Sequence, residues 1–344
     1  MNEVLSDLTL IVPTFNRHAS LMKLLQYYAP LPVNLIIVDG SVEAFDTSGY
    51  DDCTCSLRYF HMPVSYEQRM TFAGNLCDTE FVMISGDDEY YLRDGLINAL
   101  NKLRNNVSLS AVAGRCAAFV YNEQGLRLGT YYNFLKDYNN NHQLSSARVQ
   151  QVIDCFPIIS GFFYSVCRAS AFKAATQVAF RYKFTCPFVQ EVLFSLSLFI
   201  QGGVRTTPEL LWLRNLQATP VNDAQWQRKL DFSVWYSDPK YAAEVALMLS
   251  CVTDFYGLFL TEGEPEFSMS DFFIALIDFD RQLSAGLIEA DKAYDFPLSV
   301  FLILSRQRGL SVDEACLREV ERIELASIIA SNETTQIKSR LTTW

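Results

Sequence analysis

Apolar and polar positions fall in blocks along the N-terminal part of the chain. Residues 8–12 (LTLIV), 35–38 (LIIV) and 81–84 (FVMI) are short, continuous apolar runs. Runs of this kind predict strands covered on both faces, as in a parallel sheet. Residues 57–60 predict a weaker strand, and the first strand is expected to stop at Pro13. Between these runs, residues 20–28 carry Leu21, Leu24, Leu25 and Tyr28 at helical spacing, and 66–77 and 92–103 also read as helices. Strands alternating with helices predict βαβ units and an α/β domain.

Further on the pattern changes. Residues 110–121 read as a strand. Residues 122–145, rich in Asn, Tyr and Gly, read as a long mobile loop of the kind that serves as a lid or acceptor-binding element. An apolar segment at 158–166 is broken by Gly161, 189–200 reads as a strongly apolar helix, and 210–213 as a strand. From Pro220 onward the reading is helical. Residues 242–260 contain Glu244 and Asp254, so they do not read as a membrane span, and 272–279 continues the helical trend. Ser311 and Glu314 fit a capping box. It is followed by a face of Val312, Cys316, Val320 and Ile323. The expected division is an α/β domain over 1–218 and a helical C-terminal region over 219–344.

In open α/β sheets, ligands bind beyond the carboxyl ends of the strands. Here those ends are polar or acidic: Thr14 to Arg17, Asp39, and Asp87-Asp88-Glu89. The fold therefore predicts that distant segments meet at one rim. The net charge of −11 and pI of about 4.8 argue against a nucleic-acid partner, which needs a basic surface. They still admit an anionic small molecule, held by local arginines or by a cation between acids and phosphates. Nine cysteines at irregular spacing read as small core residues in a reducing compartment. Cys53 and Cys55, near His61, lack the second pair that a zinc site needs. The polar, acidic opening shows no signal peptide, and no apolar run reaches membrane length. A soluble cytoplasmic protein is expected, with room for peripheral contact at the inner face of a membrane.

Asp87-Asp88-Glu89 admits two readings. One is a solvated loop that caps the next helix. The other is a site for Mn2+ or Mg2+, since hard cations take carboxylate oxygens and complete their shells with phosphates. The buried strand before these acids and the second acidic strand end favour the cation.

Residues 10–17 (LIVPTFNR) resemble the opening of family 2 inverting glycosyltransferases of the GT-A fold. Residues 36–41 (IIVDGS) are similar to their second strand, and 81–89 to the strand leading into their DxD motif. The resemblance runs from about residue 8 to about residue 215, and the order of the pieces carries it. It implies a GT-A (Rossmann-like), mostly parallel sheet flanked by helices, with the helical C-terminal region appended. By this resemblance Pro13, Thr14 and Arg17 line the nucleotide pocket and Asp39 binds the base, with a UDP-sugar favoured. Arg69 faces the donor, Asp87 lies near the ribose, and Asp88 contacts the metal. Glu89, where many members have Asp or Asn, is the second metal candidate. Gln190-Glu191, before an apolar helix and Gly202-Gly203, is similar to the family's Glu-Asp segment. Glu191 would then be the general base, although an acid at a helix N-terminus is also favoured by the dipole. Arg214 would approach the diphosphate, unless it is a surface residue at a strand end. The family's histidine near the closing strand has no counterpart. His18 reads as a helix-start residue.

The resemblance implies transfer of a sugar from a nucleotide-sugar donor to a glycan or glycoconjugate acceptor, in polysaccharide or glycoconjugate assembly. The C-terminal region would shape the acceptor side or bind a partner or membrane surface. Phe162, Phe163, Tyr164, Trp212 and Trp226 could stack on a sugar but fit a core at least as well. Two other readings compete. A sugar nucleotidyltransferase needs a glycine-rich phosphate loop, which residues 13–17 lack. A non-catalytic carbohydrate-binding or scaffold protein on a degenerate transferase fold is compatible with Glu89, Gln190 and Glu191.

Overall fold

The computed structural model describes residues 2–122, 125–130, 139–140, 160–216, 230–259, 273–274, 277–278, 296–307 and 312–341. The described part of the N-terminal region opens β1 (Leu8–Thr14), α1 (His18–Tyr28), β2 (Asn34–Asp39), β3 (Ser56–His61), α2 (Tyr66–Asn75), β4 (Phe81–Ile84), β5 (Tyr90–Tyr91) and α3 (Arg93–Asn105). The four expected strands pair in parallel in the order β4-β1-β2-β3. β1, β2 and β4 are buried almost throughout, which explains why their sequences run apolar instead of alternating.

Pro13 does not end β1. The register continues through Pro13↔Val38 to Thr14↔Asp39. On the other side, pairing with β4 stops at Ile11↔Ile84. At Pro13 the strand thus has one neighbour, and the missing N–H costs little there.

Beyond β4 the sheet is mixed. β9 (Val166–Arg168) runs antiparallel to β4 and to β6 (Leu109–Asn122). β7 (Gly125–Thr130) returns antiparallel along β6. The parallel pairing expected from sequence is therefore found in the nucleus β1 to β4, and again where β6 meets the later strand β10 (Gly203–Asn215). The mobile-loop reading fails over 125–130. Leu126 and Leu128 are buried on either side of half-exposed Arg127, a strand alternation too short to stand out among polar neighbours. Gly125 enters at a φ of +94°, a conformation that glycine adopts without strain. The rest of that loop, apart from β8 (Asn139–Asn140), lies outside the described residues. So do His142, Trp226, Ser311 and half of 272–279.

α4 (Ala169–Ala179) and α5 (Phe188–Gln201) pack together and lead into β10 (Gly203–Asn215), much longer than the expected 210–213. β10 runs parallel to β6 with irregular register, and its end pairs antiparallel with β5 through Leu213↔Tyr90 and Trp212↔Tyr91. Gly114 of β6 allows the close approach of the two strands: a Cβ there would lie 2.3 Å from Cβ of Leu211.

The C-terminal elements are α6 (Phe232–Ser237), α7 (Ala242–Gly257), β11 (Phe296–Pro297), α8 (Leu298–Gln307) and α9 (Glu314–Leu341). β11 extends the sheet beside β7. α9 is capped by Asp313, whose Oδ1 accepts from the Cys316 amide at 3.1 Å. The expected face is present: Val320 and Ile323 are buried, with Leu317 beside them, and Val312 and Cys316 half-buried. No helix among the described residues is long and apolar enough to cross a membrane.

Candidate active site

The parallel register brings the strand ends together. Thr14 stands opposite Asp39, and Asp39 opposite His61. Counting on from Ile11↔Ile84 puts Asp87 level with Thr14, whose Oγ1 donates to Asp87 Oδ2 at 2.7 Å. Arg17 closes the group. Its Nη1 is 2.9 Å from Oδ1 of Asp87, and its Nη2 donates to Oδ2 of Asp88. Burial opposes the Arg17 charge, yet Asp87 and Asp88 together hold its pKa above the ordinary value.

Asp39 is fully buried but well supplied with donors. Its Oδ1 accepts from the Ser41 amide at 2.8 Å, and its Oδ2 from the Tyr59 hydroxyl at 2.7 Å. His18 Nε2 lies 3.2 Å from the same Oδ2. Burial alone would raise the Asp39 pKa. Hydrogen bonds from Ser41, Tyr59 and His18 outweigh it and leave the pKa below the usual carboxylate value. Asn16, the only non-glycine residue with positive φ among those described, stitches the β1 loop to the β2 loop. Its amide donates to Ser41 Oγ at 2.7 Å, and its Oδ1 accepts from the Val42 amide at 3.2 Å.

Arg69 turns one end of its guanidinium to the backbone and leaves Nε buried without a hydrogen-bond partner. The side chain is buried, and Nη1 donates to the carbonyls of Thr14 and Val38 at 2.7 and 2.8 Å. It fastens the ends of β1 and β2 from below. Gly40 makes room for it, since a Cβ there would lie 2.7 Å from the guanidinium carbon. Pro13 serves the rim as part of the strand.

On the other flank, the antiparallel β5–β10 pair sets Glu89 across from Arg214. Nε of Arg214 is 3.8 Å from Oε1 of Glu89, and the Arg214 guanidinium lies 6.0 Å from the centre of the Tyr164 ring. Oε2 of Glu89 is buried without a hydrogen-bond partner. Burial pushes the Glu89 carboxyl up to about 8. Arg214 opposes that rise, while Asp88 and Glu191 add to it. Glu191, in the first turn of α5, is likewise pushed up to about 7 by burial and held down by Arg214. Burial also lifts Asp87 to about 7, against Arg17 and with Asp88. Gln190 turns away, its Nε2 3.0 Å from Glu67 Oε1.

Most of the sites proposed from sequence thus fall into two neighbouring groups: Asp39 with its hydrogen-bond donors, and a run of interacting charges through Arg17, Asp87, Asp88, Glu89, Arg214 and Glu191. Sequence reasoning missed His18 and Tyr59 as partners of Asp39. The signal for Tyr59 was its register position two residues before His61 on β3. Trp212 is core, stacked between Tyr164 and Tyr91 at 4.7 and 6.0 Å. Phe162 and Phe163 are buried as well. Among the described residues, no group of three or more His, Cys, Asp or Glu gathers to hold a metal ion.

No protein-family model and no curated protein matches the chain. Among solved structures, S. aureus TarS 1-349 is similar with a TM-score of 0.45 and 12% identity, over 84% of this chain and 98% of that one. The same protein in complex with UDP-GlcNAc gives a TM-score of 0.46 and 12% identity, over 84% and 99%. Similarity at this level assigns no residue a role.

Proposed function

We propose that this chain is a GT-A-type glycosyltransferase that takes a sugar from a nucleotide sugar, a UDP-sugar favoured. The acceptor is a hydroxyl of a glycan or glycoconjugate, and the reaction inverts the anomeric carbon. The observation that supports this most is the run of charged groups from Arg17 through Asp87, Asp88, Glu89 and Arg214 to Glu191, beside the strand end that carries Asp39.

Mn2+ or Mg2+ belongs to this reading, and the residues fit such an ion. The donors are hard carboxylate oxygens, and Oε2 of Glu89 is buried without a partner. With no three acids gathered, the protein would offer Asp88 and Glu89 at most and leave the remaining positions to phosphate and water. When bound, the ion offsets the charge of the leaving diphosphate.

The other steps fall to the chain's own groups. Asp39 receives the Ser41 amide and hydroxyl, Tyr59 and His18, which fill the roughly four acceptor positions of a carboxylate. An N–H from the base edge would take the place of His18, the long bond at 3.2 Å and the one on the solvent side. Arg17 and Arg214 flank the acids where a diphosphate would lie, and a guanidinium fork matches phosphate oxygens. Glu191 takes the proton of the acceptor hydroxyl. The oxygen then bonds to the anomeric carbon as the bond to the diphosphate breaks, and the nucleoside diphosphate leaves.

Release of UDP from a panel of UDP-sugars in Mn2+, with and without glycan acceptors, tests the reading. Turnover is expected for the wild type and a loss of about a hundred-fold or more for Glu191→Gln. Binding of no nucleoside diphosphate, with or without Mn2+, would defeat the reading and favour a non-catalytic role.

A further inference from the structure

Arg17 sits at the N-cap of α1 and reaches across to the turn after β4. One guanidinium spans two carboxylates, with Nη1 on Asp87 and Nη2 on Asp88. It stands where a positive charge shared by both would stand. Asp87 is anchored on its far side by Thr14 and is almost completely buried. Asp88 and Arg17 lie nearer solvent, with side chains 12% and 18% exposed. The bond between them can therefore open without unpacking the core.

Two physical facts bear on this arrangement. A guanidinium keeps its charge at any pH a protein meets, so sharing a carboxylate with a divalent ion at close range costs repulsion between the two cations. Its fork also suits diphosphate oxygens as well as it suits carboxylates. An ion arriving on Asp88 would set Arg17 free beside the anion that arrives with it.

We propose, resting on the donor-site reading above, that Arg17 is an exchangeable counterion. It holds Asp87 and Asp88 together while the site lacks a donor. It passes to the donor's diphosphate when a divalent cation takes the carboxylate. Cation and donor then bind cooperatively, because each removes a competitor of the other. The cation alone binds weakly, since it must displace a guanidinium that has no anion to go to.

The test is direct titration of Mn2+ by electron paramagnetic resonance on the full chain, with and without UDP. Wild-type affinity for Mn2+ is expected to rise about ten-fold or more when UDP is present, within the usual range of coupling. Arg17→Gln should bind Mn2+ about ten-fold more tightly than wild type without UDP and show a smaller further gain with it than wild type shows, the remaining gain coming from diphosphate oxygens on the ion. Arg17→Lys, a point charge that cannot span both carboxylates, should fall between. If Arg17→Gln fails to give a cooperative melt, the Arg17→Lys comparison decides. Mn2+ binding that is no tighter in the variant, while wild type still binds UDP, would overturn the exchange and leave the donor site standing. A wild type that binds no UDP would overturn both.

Discussion

Glu191 stands at the start of an apolar helix, and burial lifts its carboxyl to about 7. A base must be unprotonated to work. Transfer should therefore rise with pH through about 7, and Glu191→Gln should remove that limb along with most of the turnover. A rate profile flat from mildly acidic to mildly basic pH would count against Glu191. Asp39 has the opposite character. Its pKa is depressed, so it stays charged across the neutral range, and Asp39→Asn should weaken nucleotide binding without shifting the pH limb. Asp39, Asp87 and Asp88 were legible from sequence because each ends an apolar strand, and strand ends converge by topology. Arg69 was not legible in the same way. An arginine one helix before the acidic strand reads as a ligand group, yet two backbone carbonyls claim it, and only the register of β1 on β2 brings those carbonyls within its reach. Gly40→Ala should push that guanidinium aside and lower stability by about 1–3 kcal/mol, the cost of losing buried charged hydrogen bonds, read as a drop in the denaturant midpoint.

Elements β5 and α9 meet behind the acidic turn. The Tyr90 hydroxyl donates to Oε1 of Glu324 at 2.8 Å, and Lys23 Nζ donates to its Oε2 at 2.7 Å. Tyr27 and Tyr28 add hydrogen bonds to the carbonyl and amide of Tyr91 at 2.9 and 3.0 Å. The C-terminal helix thus braces Tyr90 and α1 braces Tyr91, the two residues that follow Glu89. Tyr90→Phe leaves Oε1 of Glu324 buried without this donor and should cost about 1–3 kcal/mol in thermal or chemical melts. An unchanged midpoint would mean that α9 is not docked there in solution. Helices α1 to α3 and α5 could be read from periodicity and strands β1 to β4 from their apolar runs, because each spans a single layer of the core, while α4 was not expected. β7 and the long β10 could not. β7 is short and carries Arg127 between its buried leucines. In β10, register shifts around Thr206 and Leu210 break the alternation that marks a strand, and Pro208 interrupts it further.

Across the whole molecule, the rim is assembled from segments far apart in sequence: the loop after β1, the ends of β2 and β4, the tail of β10 and the start of α5. Each contributes one or two charges, and a parallel nucleus with an antiparallel closing strand brings them together. The pairing that sets Glu89 against Arg214 was invisible in the sequence, since it depends on how β5 pairs with β10. The most direct measurement is calorimetric titration of UDP into the full chain in Mn2+. One UDP per chain is expected, with binding about ten-fold weaker or worse in Asp39→Asn, the loss of a charge-assisted hydrogen bond, and affinity close to wild type in Glu191→Gln. Absence of binding, or equal affinity in wild type and Asp39→Asn, would contradict a nucleotide site at this rim.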